Sequence, residues 1–283
     1  MFEQITILGS GLLGASLAMS IHHAKIAQSI TIWARRKETV DLCSSKTWCQ
    51  HGEENLERSV IGSNLVIICT PVETIGGIAR QIAPYLEKGT LVTDVGSVKN
   101  QICLDCEEAM KSSEGFFIGS HPMAGSEKSG MDFASKELVN GKSCIITPMK
   151  DAPVNYIQKL EKFWKALKMI VFRFSPAEHD RAAAYFSHLP HLLASCLSRH
   201  LDTQDPNWKK ISGNGLKDTT RIAEGDPLLW QQIFQMNKKE ILTSIAGWEK
   251  SLEEIKELLK GENKNELHNY LKIGSNFRKD LDK

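Results

Sequence analysis

Gly9-Ser10-Gly11-Leu12-Leu13-Gly14 sets three glycines in the pattern G-x-G-x-x-G. Glycines so spaced let a backbone turn tightly, approach a pyrophosphate and pack a helix closely on a strand. The helix they open presents unsatisfied N–H groups to an anion. Here an apolar run, Ile5 to Leu8, precedes the pattern, a helical stretch follows, and a second apolar run stands about 20 residues on. That setting favours a dinucleotide site at Gly9, Ser10, Gly11, Leu12, Leu13 and Gly14 over a glycine-rich turn without ligand. In NAD sites an acid closing the second strand binds the ribose 2′-hydroxyl. This second strand, Ile30-Thr31-Ile32-Trp33, instead runs into Ala34-Arg35-Arg36-Lys37. A carboxylate would repel a 2′-phosphate, whereas a guanidinium binds one bidentately. Arg35 first and Arg36 second therefore point to NADP, with NAD the second choice. Lys37 reads equally as a solvated cation, and a charged loop is the alternative for all three.

Two more apolar runs end in polar turns, Cys69-Thr70-Pro71 and Asp94-Val95-Gly96-Ser97. Ligands of open α/β sheets bind outside the strand carboxyl ends, which puts Thr70, Pro71 and Gly96 beside the cofactor and Ser97 in the site. Ser97 would serve equally as the cap of a helix beginning at Val98. His121 ends another strand and belongs to the same edge; its address favours chemistry, although a lone histidine is commonly structural. His188-Leu189-Pro190-His191 has two imidazoles three residues apart, with Glu178 and His179 upstream. No third ligand has metal spacing, and hydride transfer needs no metal, so none is expected. Cys103-Leu104-Asp105-Cys106 is a single C-x-x-C inside a helical pattern, outside a redox context. Arg221, in Lys217-Asp218-Thr219-Thr220-Arg221, is either a surface residue or a carboxylate clamp.

The elements that must carry these groups alternate. Strand runs are expected at Ile5 to Leu8, Ile30 to Trp33, Leu65 to Cys69, Leu91 to Asp94, Phe116 to Gly119, Cys144 to Thr147 and Ile170 to Phe174. Their near-continuous apolarity suits a sheet covered on both faces. Helical patterns lie between, at Leu12 to His22, Val72 to Leu86, Val98 to Met110 and Tyr156 to Lys168. Together they predict an α/β fold, a Rossmann-type doubly wound, mainly parallel sheet over residues 1–175. Beyond Ser175-Pro176 strand signals vanish, and residues 176–283 read as an all-α substrate and dimerisation domain. Its helices are expected at Ala177 to Leu201, Leu228 to Leu259 (stopped by Gly261) and Glu266 to Leu281. Long amphipathic helices in so small a domain argue that a second copy covers part of them, as in a homodimer.

The chain has 283 residues, 41% of them hydrophobic, with 35 Lys+Arg against 34 Asp+Glu, so it carries no broad cationic surface. Nucleic acid and anionic membrane are thereby excluded as bulk partners. Seven scattered cysteines, an odd number, read as free thiols in a reducing compartment. Gln4 to Ile21 is uncharged, but Glu3 precedes it where a signal peptide needs basic residues, and Gly and Ser interrupt it. A soluble cytoplasmic protein is expected.

With these residues assembled, the chain resembles the prephenate/arogenate dehydrogenase family over nearly its full length. The resemblance is carried by Gly9–Gly14, Asp94-Val95-Gly96-Ser97-Val98-Lys99, Ser120–Gly125 with Glu127, Ser187-His188-Leu189-Pro190-His191, and Asp218-Thr219-Thr220-Arg221-Ile222-Ala223 followed by Asp226-Pro227 and Trp230. It implies a Rossmann-type domain, a helical dimerisation domain and oxidative decarboxylation of a cyclohexadienyl acid. His121 is then expected to take the 4-hydroxyl proton and Ser97 to hydrogen-bond in the same group. Arg221 is expected to bind a substrate carboxylate, His188 and His191 to line the pocket, Glu127 to act as a gate or polar-network residue, and Trp230 to form a wall. Prephenate is the expected substrate, with arogenate or both as the alternative. An NADP-sensing dimer without turnover is the non-enzymatic rival.

Overall fold

A computed structural model describes residues 1–125 and 128–281. Its first element is a six-stranded parallel sheet. The strands are β1 (Phe2–Leu8), β2 (Ala27–Trp33), β3 (His51–Glu53), β4 (Leu65–Ile68), β5 (Leu91–Asp94) and β6 (Phe116–Phe117), in spatial order β3-β2-β1-β4-β5-β6. Helices α1 (Leu12–His23), α2 (Lys37–Ser44), α3 (Leu56–Ser59), α4 (Ile75–Ile82) and α5 (Asn100–Met110) alternate with them. The order reverses at β1 and β4, the switch point where such sheets open a ligand crevice.

Successive strand residues serve opposite faces, since side chains alternate along a strand. Leu65 and Ile67 belong to one buried cluster with Leu17 and Ile21 of α1. Val66 and Ile68 belong to the other, with Ile75 and Ala79 of α4 and Ile102 of α5. Two apolar faces explain why these strands read as unbroken apolar runs.

The later strands part from the expected single sheet. The run near residue 118 divides, and β7 (Gly119–Pro122), β8 (Ser143–Thr147) and β9 (Ile170–Arg173) form a separate three-stranded sheet. In it β7 and β8 are antiparallel, and His121 pairs with Ile145. The crossing between sheets is tight. A Cβ on Gly119 would come within 2.5 Å of Thr147 Oγ1 on β8 and 2.8 Å of Cys103 Sγ on α5, so a side chain there would push the start of β7 away from both. Helix α6 (Val154–Ala166) buries Leu160, Phe163 and Trp164 against the first cluster.

The remainder is helical: α7 (Pro176–Ala183), a π-helical turn (Ala184–His188), α8 (Leu189–Asp202), α9 (Asn214–Thr220), α10 (Pro227–Met236), α11 (Lys238–Lys260) and α12 (Lys264–Asp280). The stretch expected as one helix from Leu228 breaks at Asn237. Proline explains the π turn: Pro190 lacks an N–H and its ring crowds the carbonyl four residues back, at Phe186, inside that turn. The chain divides into two compact units, Met1–Lys238 and a second beginning at Lys239. In the second, Leu252, Leu259, Leu271, Ile273 and Phe277 are exposed on the single chain. Among the described residues, no helix is long and apolar enough to cross a membrane, and all seven cysteines are free thiols.

Candidate active site

A cavity of about 950 Å³ opens at the switch point. Gly9, Ser10 and Gly11 form one wall, Trp33, Ala34, Arg35 and Arg36 at the end of β2 another, and Cys69, Thr70, Pro71 and Thr74 a third; among the described residues no acid lines it. Gly11 is the N-cap of α1, with no capping side chain and no acidic residue in the first turn. The first amides of that helix are thus left for an anion. Gly14 has no room for a side chain, because a Cβ would lie 1.9 Å from the Gly9 carbonyl oxygen. These features fit a dinucleotide. Leu12, Leu13 and Gly14 lie behind the cavity wall in the first turn of α1, and Leu13 packs into the core. Gly96 is also away from this cavity; its N–H donates to Asp94 Oδ2 at 2.9 Å.

Beyond the ends of β5 and β7 lies a buried polar cluster. Lys99 donates from Nζ to Asp94 Oδ2 and to the Ser120 carbonyl, the latter at 3.0 Å. Asp94 Oδ1 accepts the Ser120 N–H at 3.2 Å. The Ser120 hydroxyl is shared with Thr93 Oγ1 (2.8 Å) and accepts Trp164 Nε1–H (3.0 Å). All but the Lys99–Asp94 bond fix Ser120, the residue just before His121.

The second side of the cluster is built by α7. Ser175 and Glu178 form a capping box, and Pro176 takes the first helical position. That fixes the phase of α7 and turns His179 and Asp180 inward, both buried. Asp180 receives the Lys99 N–H on Oδ1 at 2.7 Å and the Asn100 N–H on Oδ2 at 2.9 Å. The helix α5 therefore begins at Asn100 and is capped from a distance by Asp180. The alternative that Ser97 caps a helix starting at Val98 is corrected accordingly. Ser97 is half-buried, and its backbone carbonyl lies beside the His188 ring.

Four imidazoles meet the interior here. Burial, then the charges of His179, Lys99 and His188, hold His121 well below the usual histidine range. Burial lowers His179 against the opposing pull of Asp180. Burial takes His188 and His191 each down to about 4. All four rings are neutral at pH 7. Asn237 Nδ2 donates to the Asp180 carbonyl (2.8 Å) and to His188 Nδ1 (3.1 Å). In a neutral ring this puts the His188 proton on Nε2. Among the described residues that buried Nε2 has no hydrogen-bond partner, and the Ser97 carbonyl beside the ring favours a proton on it.

His191 stands apart from His188. Its ring stacks on Trp230 at 3.5 Å, and both line a second cavity of about 500 Å³ with Phe234, Ser195 and Gln235. Arg221 is exposed, on a 3₁₀ turn whose following residue Gly225 packs against His191 and Trp230. Glu127 lies outside the described residues. No group of three or more His, Cys, Asp or Glu able to hold a metal occurs among the described residues.

Sequence reasoning gave no role to Asp94, Lys99, His179, Asp180 or Asn237. The capping-box start of α7 was the available signal for two of them. It sets a helical phase in which positions 179, 180, 183 and 184 share the buried side.

A switch-point cleft with an anion-ready helix start is the site of a dinucleotide-binding protein. Comparison with known proteins narrows the class. Residues 26–172 match the family model for the nucleotide-binding domain of prephenate dehydrogenase, and residues 175–273 match that for its dimerization domain. A prephenate dehydrogenase of Lactococcus lactis subsp. cremoris is 31% identical over 89% of this chain and 70% of its own. A cyclohexadienyl dehydrogenase of Zymomonas mobilis is 27% identical over 85% of this chain and 83% of its own. The crystal structure of prephenate dehydrogenase from Aquifex aeolicus, in complex with hydroxyphenyl propionate and NAD+, superposes with a TM-score of 0.92. It is 32% identical and covers 99% of both chains. The chain belongs to the prephenate dehydrogenase family and is an oxidoreductase that uses a pyridine nucleotide.

Proposed function

We propose that this enzyme oxidatively decarboxylates prephenate to 4-hydroxyphenylpyruvate with NADP as acceptor, in tyrosine biosynthesis. The observation that carries the reading is the buried ring of His121 on β7, held by His179 and facing Lys99 and His188, whose own ring lies beside the Ser97 carbonyl. The relative solved with a hydroxyphenyl acid and NAD+ supports both the substrate class and the cofactor class.

When bound, the nicotinamide supplies the acceptor for a hydride. The ring carbon bearing the 4-hydroxyl loses that hydride while the bond to the ring carboxylate breaks. The released electron pair completes the aromatic ring, and carbon dioxide leaves. Aromatisation drives the step, so the protein's work is orientation and charge placement. His121, neutral at working pH, takes the hydroxyl proton, or holds it in a hydrogen bond, as carbonyl character develops, and a proton so taken returns to that oxygen as the ring becomes a phenol. Ser97 bonds the same group, and His188 Nε2–H donates to a substrate oxygen. Arg221 binds a carboxylate, with His191 and Trp230 as apolar wall. Arg35 and Arg36 favour a 2′-phosphate, because the cofactor cleft has two guanidinium groups and no acid at the end of β2. The helical half forms a homodimer, and the exposed apolar residues of α11 and α12 supply its surface. Seven free thiols accord with a cytoplasmic setting.

Absorbance of reduced nicotinamide tests the reading, with NADP+ and either prephenate or arogenate. Faster turnover of prephenate is expected. Preference for arogenate would replace the substrate, and turnover of neither would leave a nucleotide-binding dimer.

A further inference from the structure

We propose that His179 and Asp180 are positioning residues that hold His121 in the one tautomer able to accept a proton at Nε2. The proposal rests on His121 being the base.

Three groups stand in line. His121 Nδ1 is 2.8 Å from His179 Nε2, and His179 Nδ1 is 2.8 Å from Asp180 Oδ1. Direction along the line is set at its far end. Asp180 accepts the Lys99 and Asn100 N–H groups on its two oxygens, at the positive N-terminus of α5, a setting for an ionised carboxylate. An ionised carboxylate only accepts, so His179 must donate from Nδ1. A neutral His179 then has its lone pair on Nε2, and the hydrogen between the rings belongs to His121 Nδ1. The lone pair of His121 is therefore on Nε2. The hydrogen bond on one ring nitrogen decides the proton on the other.

The arrangement also supports the charge that catalysis creates. When Nε2 takes a proton, the imidazolium keeps its Nδ1–H bond to His179, and no second proton moves. Lys99 and His188 also face His121 and oppose that charge. Around His179, Lys99 is likewise opposed, while Asp180 and Asp94 are the anions. The carboxylate behind the relay compensates the lysine in front of it. The backbone of Asp180 is held in turn by Asn237.

Nitrogen-15 NMR of the full-length protein, labelled at histidine and assigned with His121→Asn, reads the tautomer directly. His121 is expected protonated at Nδ1 and bare at Nε2 above pH 7; the reverse tautomer would overturn the proposal whether or not His121 is the base. Kinetics test the consequence, with turnover counted per cofactor-binding site so that misfolded protein drops out. His179→Phe removes the acceptor and should lower kcat by about 10² to 10⁴ at nearly unchanged KM, the scale of lost acid–base help and of a mis-set imidazole. His179→Gln keeps an acceptor oxygen and should stay within about tenfold of the parent enzyme. A Phe variant with undiminished kcat, or a Gln variant as impaired as Phe, would contradict the relay. Failure of the base reading itself is distinguishable, because His121→Asn would then retain full turnover.

Discussion

Lys99 buries its ammonium group against the carboxylate of Asp94, both side chains fully closed to solvent. The pair is more than a local contact. Asp94 ends β5 and holds the Ser120 N–H, while Lys99 holds the Ser120 carbonyl, so the two charges tie the parallel sheet to the strand bearing His121.

Removing one member leaves the other charge buried without compensation. Lys99→Met should lower the free energy of unfolding by about 3–5 kcal/mol. Urea denaturation measures it. The double variant Asp94→Asn/Lys99→Met should recover part of the loss, because the stranded carboxylate is gone. Equal instability of the single and double variants would contradict this account.

Stability should fall on mild acidification. His188 and His191 have folded values near 4, and His121 and His179 are lowered too. Unfolded histidine titrates near 6.5 and binds protons that the folded protein refuses. Stability is thus complete above about pH 6.5 and declines as pH falls toward the folded values, with a slope approaching 1.4 kcal/mol per pH unit per histidine. Denaturation between pH 7 and 5, above most carboxylate titration, reads this. The basic form of His121 should likewise persist, leaving kcat/KM without an acid limb at pH 6.5. Constant stability over this range would show that the rings are accessible and protonated.

Much of this was legible in the sequence, for physical reasons. Strands covered on both faces must be apolar throughout, so β1, β2, β4 and β5 stood out, and the glycine spacing located the cleft. The second sheet was not legible, since Cys144 to Thr147 reads identically in either sheet and only the crossing at Gly119 separates them. The cluster behind His121 was hidden for another reason. Lys99 and Asp180 are charged residues that look solvated until the fold brings residues about 80 positions apart into one hydrogen bond.

Cofactor choice should rest on Arg35. Arg35→Ala should raise KM for NADP+ by roughly 10- to 100-fold, the scale of a charge-assisted bond to phosphate, and leave KM for NAD+ nearly unchanged. Steady-state kinetics with both nucleotides decide. Equal effects on both would place the guanidinium elsewhere than at a 2′-phosphate.

Arg221→Ala should act chiefly on substrate binding, raising KM for prephenate by roughly tenfold, the scale of one charge-assisted hydrogen bond from an exposed guanidinium, with a smaller change in kcat. An unchanged KM would remove Arg221 from the pocket.

The most direct test of the account is the turnover of His121→Asn with prephenate and NADP+, measured per cofactor-binding site. Asparagine keeps the size and a hydrogen bond but cannot take up the proton, so kcat should fall by about 10² to 10⁴. Turnover equal to that of the unaltered enzyme would contradict it.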